Sequence, residues 1–299
     1  MTPKKKLSSP AKLTKLTEKG VKRETRKNLL PLKSDIVFKM FFGDEKNLGL
    51  LREFLAAMLD LPEEKYDSVE IIDPHVRGEY PDEKFGVLDV QIKTKNGKKI
   101  DVEVQVSETP CMKERIVGYT GKMLGSQLHV GDNYEEIKKV ISVVLLDYDL
   151  IKDSGCFHNK YMLYDVKTKS LFTDVLEIHT FELKKLPKRP GPGEKSEKQF
   201  LWLRLIGTDR EEEIEMLATK NPVMKKAVGV LKKLSADERA RMLYESREKA
   251  RFDELSRLHG ARTEGKIEVA KRMLARGMDI AAVSELTGLP EDEICPPQV

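Results

Sequence analysis

The apolar positions fall into helical and strand periods from about Leu29 onward. Ile36, Val37, Met40 and Phe41 recur at helical spacing behind Ser34, which stands as an N-cap, and Gly43 ends the helix. Leu48, Leu51, Phe54, Leu55 and Met58 define a second helix from about Asn47, closed by Pro62. Three short β-patterned stretches follow at 68–73, 86–93 and 99–106, and then a helix is predicted over 113–130. The run 139–147 is short, apolar and rich in Val and Ile, the signature of a strand buried on both faces. A further strand pair is expected at 161–165 and 171–183. Residues 188–198 (KRPGPGEKSEK) carry two prolines and two glycines in a charged context and read as a linker. Beyond it the pattern is helical. The stretch 235–268 has few large apolar residues and suits a connecting or self-associating arm. The chain therefore divides into an α/β body over 29–187, a linker over 188–198 and a charged helical tail over 199–299.

The strand pair around residues 86–106 carries the most information. Leu88, Val90 and Ile92 alternate with Asp89 and Gln91, and Ile100, Val102, Val104 and Val106 alternate with Asp101, Glu103 and Gln105. A two-residue turn at Asn96-Gly97 would set Ile92 against Asp101 and mix an apolar face with a polar one. A three-residue loop, Lys95 to Gly97 with Gly97 left-handed, removes the conflict. It pairs Ile92 with Ile100, Val90 with Val102 and Leu88 with Val104. The same register puts Gln91 opposite Asp101, and Asp89 opposite Glu103 with β-carbons about 5 Å apart.

Charge refines this picture. Residues 1–28 hold ten Lys/Arg against Glu18 and Glu24, a local balance of +8, which leaves −4 on the rest of a chain whose net charge is +4. The basic stretch is thus an arm, read as disordered, that either attracts phosphate backbone or solubilises the chain. No uninterrupted apolar run approaches the ~20 residues a membrane helix needs. No apolar segment follows the first lysines, which argues against a secretory signal. Cys111, Cys156 and Cys295 are far apart with no CxxC, and the expected compartment is a reducing cytoplasm. The five histidines show no metal-ligand spacing, and Gly118-Tyr119-Thr120-Gly121-Lys122 lacks the glycine spacing of a phosphate loop. Trp202 reads as core.

Two carboxylates side by side on a strand pair repel unless a cation lies between them. Two readings of the Asp89/Glu103 face stay open: an oxygen-ligand site for a hard divalent cation, or the exposed polar face of an antiparallel hairpin. Gln105 is two residues beyond Glu103 on the same face and can reach the same centre.

These residues resemble a known family. Leu88-Asp89-Val90, a hairpin, and Asp101-Val102-Glu103-Val104-Gln105 resemble the PD-(D/E)XK nuclease superfamily, and more narrowly its Rpn recombination-promoting nucleases, also described as transposases. Ser34 to Lys39, Arg115 with Tyr119, and Gly131 and Tyr134 ahead of 140–146 extend the likeness over about residues 30–185. The resemblance implies a restriction-endonuclease-like mixed sheet flanked by helices. It implies metal ligation by Asp89, Glu103 and the Val104 carbonyl, with Gln105 in the position of the superfamily's usual lysine. A lysine there can deprotonate or orient water, whereas an amide can only orient it. Asp35 becomes an accessory acidic residue or, equally, a first-turn residue serving free N–H groups. Arg115 and Tyr119, four apart on one helix face, could meet a phosphate together or be a surface Arg beside a core-edge Tyr.

The implied chemistry is metal-assisted hydrolysis of DNA phosphodiesters with low sequence specificity, in recombination or mobile elements. Mg²⁺ is the implied ion, with Mn²⁺ or Ca²⁺ as substitutes, and the location is a prokaryote-like cytoplasm at the nucleoid. The alternative is an inactive nucleic-acid- or partner-binding protein that keeps the fold. No membrane partner is expected, and the helical tail is read as a homo-oligomer contact. Its end, 267–294, resembles a helix-turn-helix. However, Glu291, Asp292 and Glu293 lead a third helix of about one turn, and phosphate would repel them. A helical hairpin for packing or assembly is the preferred reading there.

Overall fold

The computed structural model describes residues 29–59, 69–72 and 90–294. The basic arm at 1–28 lies outside the described residues, as does Asp89.

Two amphipathic helices come first, α1 (Asp35–Phe42) and α2 (Leu48–Met58). Ser34 occupies the N-cap position of α1, but its side chain makes no capping bond. The Asp35 carboxylate instead accepts from the Ile36 N–H at 2.8 Å. Six strands form one mixed sheet: β1 (Val69–Ile72), β2 (Val90–Thr94), β3 (Lys99–Gln105), β4 (Val140–Leu146), β5 (His158–Tyr164) and β6 (Leu171–Glu182), in the spatial order β1-β2-β3-β4-β6-β5. β3, β4 and β6 run parallel, while β1–β2, β2–β3 and β5–β6 are antiparallel. All seven residues of β4 are buried, as the unbroken apolar run requires.

The β2–β3 register is the one the alternation demands. Val90 faces Val102, Gln91 faces Asp101 and Ile92 faces Ile100. The Lys98 carbonyl accepts from the Thr94 N–H at 2.9 Å, and Gly97 takes φ +77°, the left-handed position of the three-residue loop.

A parallel β3–β4 pair needs a crossover, and α3 (Met112–Gly125) supplies it. It stops five residues short of the expected 130. Ser126 N–H bonds back to the Lys122 carbonyl, and the Gln127 amide then clasps the Lys138 backbone at 2.9 and 3.0 Å, drawing the chain into a loop.

Part of the stretch read as a linker is helical. Only a short connection precedes α4 (Glu194–Gly207), so residues 194–198 are already helical. α4, α5 (Glu211–Ala218) and α6 (Pro222–Ala236) complete the main core. Trp202, Leu205, Ile206, Leu217, Met224 and Leu231 are buried in the same cluster as Phe38, Phe54, Ile100 and Val143. The Trp202 ring sits 5.7 Å from those of both Phe42 and Phe54. The physical reason is apolar area: α1 packs on the sheet, and without α4 the Phe42 and Phe54 rings of α1 and α2 would lose the Trp202 ring that packs on them.

Polar links also tie the N-terminal segment to α6, to the segments after β4 and α4, and to the long helix that follows. The Leu30 N–H donates to Ser235 Oγ at 2.9 Å, Lys33 Nζ reaches Asp147 at 3.2 Å and Asp209 at 2.7 Å, and Asp35 pairs with Arg247. Arg247 belongs to α7 (Glu238–Ala275), a 38-residue helix that carries the chain away to α8 (Ile280–Thr287) and α9 (Glu291–Ile294). There Ala270, Val283, Leu289 and Ile294 form a small separate core.

Candidate active site

The sheet has two unlike faces. Ile92, Ile100, Val102 and Val104 point into the main core under α1, α2 and α4, while Gln91, Asp101, Glu103 and Gln105 point the other way, towards α3. Met112 and Ile116 anchor α3 on Val144, Leu146 and Ile178 of the neighbouring strands. The helix thereby roofs the polar side chains of β2 and β3. Asp101 is 1% exposed and Glu103 3%, so the exposed-hairpin reading of this face is wrong. The amide of Gln91 donates to Met123 Sδ of α3 at 3.5 Å, sealing one end.

Glu103 is the centre of this buried face. Gln105 Nε2 donates to its Oε1 at 2.6 Å, and Arg115 Nη2 from α3 reaches the same oxygen at 3.0 Å. The Arg115 guanidinium lies over the Tyr119 ring, 5.2 Å from its centroid. Burial pushes the Glu103 carboxyl above its ordinary range, and the Arg115 charge and the Gln105 and Arg115 hydrogen bonds offset this only in part. A carboxylate whose charge is penalised in this way is stabilised by further positive charge.

Glu103, Gln105, Arg115 and Tyr119 are therefore brought together. Val104, between the two polar residues, buries its side chain in the opposite core. Asp35 starts α1, which packs against the other face of the sheet, and its second oxygen is held by Nε of Arg247 at 2.8 Å. Asp89 lies outside the described residues, and its neighbour Val90 opens β2.

The donor at the centre of this face is a hard oxygen, the Glu103 carboxylate. That chemistry suits a hard divalent cation rather than a metal that prefers thiolate or imidazole. Among the described residues no three His, Cys, Asp or Glu side chains converge to hold a metal.

Two features escape the sequence. Tyr148, just past β4, is buried beside α3, and the charges of Arg115 and Glu103 both act on it. Burial foremost raises its hydroxyl pKa. On the other face Glu177, His179 and His158 form a hydrogen-bonded chain, with Glu177–His179 at 2.6 Å and His179–His158 at 2.9 Å. Its signal lies in the β5–β6 register, which sets Lys160 against His179.

An antiparallel hairpin followed by a crossover helix and a parallel strand, with the acidic residue roofed on the middle strand, defines an α/β fold of the restriction-endonuclease type. A family model described as PD-(D/E)XK nuclease family transposase matches residues 32–261, and the chain belongs to that family. A second model, the C-terminal HTH domain of the Rpn/YhgA-like nuclease family, matches residues 263–295 and covers α8, α9 and the end of α7. Neither the curated proteins nor the solved structures yield a match. No helix among the described residues is long and apolar enough to cross a membrane.

Proposed function

We propose that the chain is a metal-dependent DNA endonuclease that hydrolyses phosphodiester bonds with low sequence specificity, in DNA recombination or the movement of mobile elements. The observation that carries this reading is the roofed Glu103, held by Gln105 and Arg115 on the middle strand of a nuclease-family fold.

Asp89, Glu103 and the Val104 carbonyl would hold the cation, Mg²⁺ or in its place Mn²⁺ or Ca²⁺. A divalent cation at that position supplies Lewis-acid charge to the phosphate and makes water acidic enough to attack near neutral pH. The chain's own residues do the rest. Gln105 cannot take a proton, so its work is to fix the Glu103 carboxylate. Arg115 offers a guanidinium to a non-bridging phosphate oxygen, and Tyr119 supports it from below. α3 keeps bulk water from the polar face. No side-chain nucleophile is required.

The helix-turn-helix module supports DNA as the partner, although the acidic start of α9 (Glu291, Asp292, Glu293) is unsuited to lying on phosphates. Phe252 and Leu258, more than half exposed on α7, support association of copies through that helix. A cytoplasmic, nucleoid-associated location accords with a DNA substrate.

The test is nicking of supercoiled plasmid with Mg²⁺ by wild type, Asp89→Ala and Glu103→Ala, with EDTA as control. Cleavage by wild type alone supports the reading. Equal cleavage by all three sinks it, and DNA binding with no cleavage by any form points to an inactive member that keeps the fold.

A further inference from the structure

We propose that Arg115 competes with the divalent cation for Glu103, so that the cation is bound firmly only when DNA is present. The inference rests on the nuclease reading above.

Arg115 holds Glu103 through one nitrogen only, Nη2 at 3.0 Å. Its Nε is buried and, among the described residues, has no hydrogen-bond partner. An arginine that matches a carboxylate well uses two parallel N–H donors. This guanidinium neutralises Glu103 but leaves much of its own donor capacity unused. The carboxylate is likewise committed on one side, because both Gln105 Nε2 and Arg115 Nη2 land on Oε1.

Two consequences follow from electrostatics. A positive charge within hydrogen-bonding distance of a roofed carboxylate repels any second cation approaching it, strongly so where water is excluded. A phosphate diester arriving beside Glu103 offers Arg115 the two-oxygen partner that Glu103 does not, while the Tyr119 ring still supports the guanidinium. DNA then draws Arg115 away from Glu103, and the carboxylate regains its affinity for a cation. Cation and DNA binding are thereby coupled, and by linkage each tightens the other by the same factor. Arg115 is in this sense a positioning residue that sets when the site takes up its ion.

The test is calorimetric titration of the full chain with Ca²⁺, with and without a short DNA duplex, a gel confirming that the duplex stays intact. Arg115→Ala without DNA is expected to bind Ca²⁺ on the order of tenfold more tightly than wild type. DNA is expected to tighten Ca²⁺ binding several-fold in wild type and not in Arg115→Ala. Arg115→Lys keeps the charge but not the fork, so it should bind Ca²⁺ as weakly as wild type without DNA and show little coupling. If Arg115→Ala binds Ca²⁺ no more tightly than wild type, or if DNA tightens both equally, the inference is overturned. Glu103→Ala separates this from failure of the underlying reading. If that variant binds Ca²⁺ as wild type does, the cation site itself is misassigned. Far-ultraviolet circular dichroism of each variant checks that it is folded.

Discussion

Gln105 gives its amide N–H to Glu103 Oε1 at 2.6 Å, and so braces the acidic residue two positions before it. Hydrogen bonds to charged groups contribute about 1.5–3 kcal/mol. Gln105→Leu, which keeps the volume and removes the donor, should therefore slow plasmid nicking by about 10–100-fold in single-turnover assays. Nicking by that variant at the wild-type rate would deny the brace any part in the reaction.

Trp202 tests whether the helices after residue 193 are a tail or part of the body. Its ring is 2% exposed and lies among Phe42, Phe54 and the other buried rings of α1 and α2. Trp202→Ala should cost about 3–5 kcal/mol, read from urea unfolding. A chain cut after residue 190 should fail to give a cooperative transition. Cooperative unfolding of that fragment would restore the body-and-tail division.

Acid should weaken the fold through the β5–β6 edge. Burial, and then the positive charges of His179 and Lys160, lower the pKa of His158 from its ordinary 6.5 to about 4. The unfolded chain takes up this proton near pH 6.5 and the folded chain only near 4. Stability is thus whole above pH 6.5 and declines as the pH falls towards 4. Glu177 acts with the same sign at lower pH. Burial opposes its charge, but His179, Lys139 and Lys160 outweigh this and hold its carboxyl below the ordinary 4.5. His158→Gln, which cannot titrate, should flatten the decline between pH 6.5 and 4 in urea midpoints. An unchanged slope would clear His158 of responsibility.

Gly97 carries the register of the whole hairpin. At φ +77° an L side chain is strained, and a Cβ there would also come within 3.0 Å of Lys138 Cγ. Gly97→Ala should destabilise by about 1–2 kcal/mol. Gly118→Ala, in mid-α3 with open space around the added atom, should be neutral or stabilising. Similar thermal midpoints for the two variants would contradict the assigned turn.

Much of the fold was legible because alternation on β2 and β3 admits one loop length, and because the unbroken apolar run of β4 admits only a doubly covered strand. The site was legible as a face, through the two-residue spacing of Asp101, Glu103 and Gln105, but its burial was not. That depends on α3 folding back over β3, which no local pattern encodes. The Glu177–His179–His158 chain was hidden because it needs the antiparallel pairing of β5 with β6, which sets Lys160 against His179 and is not written in either strand alone. Proline and glycine in 188–198 mark a turn as readily as a boundary, and the packing of α4 against Phe42 and Phe54 is not written in that stretch.

The long helix α7 has a metric consequence. Arg247 is clasped to Asp35 on the body, and Ala270 is the first of its residues buried in the terminal module. The 23 helical steps from one to the other, at ~1.5 Å each, span about 35 Å, one turn of B-DNA. A strut of that length sets the terminal module about 35 Å along the helix axis from the Asp35–Arg247 clasp. Inserting two residues near Gly260 would rotate one end against the other by about 200°, whereas seven would leave their relative orientation nearly unchanged.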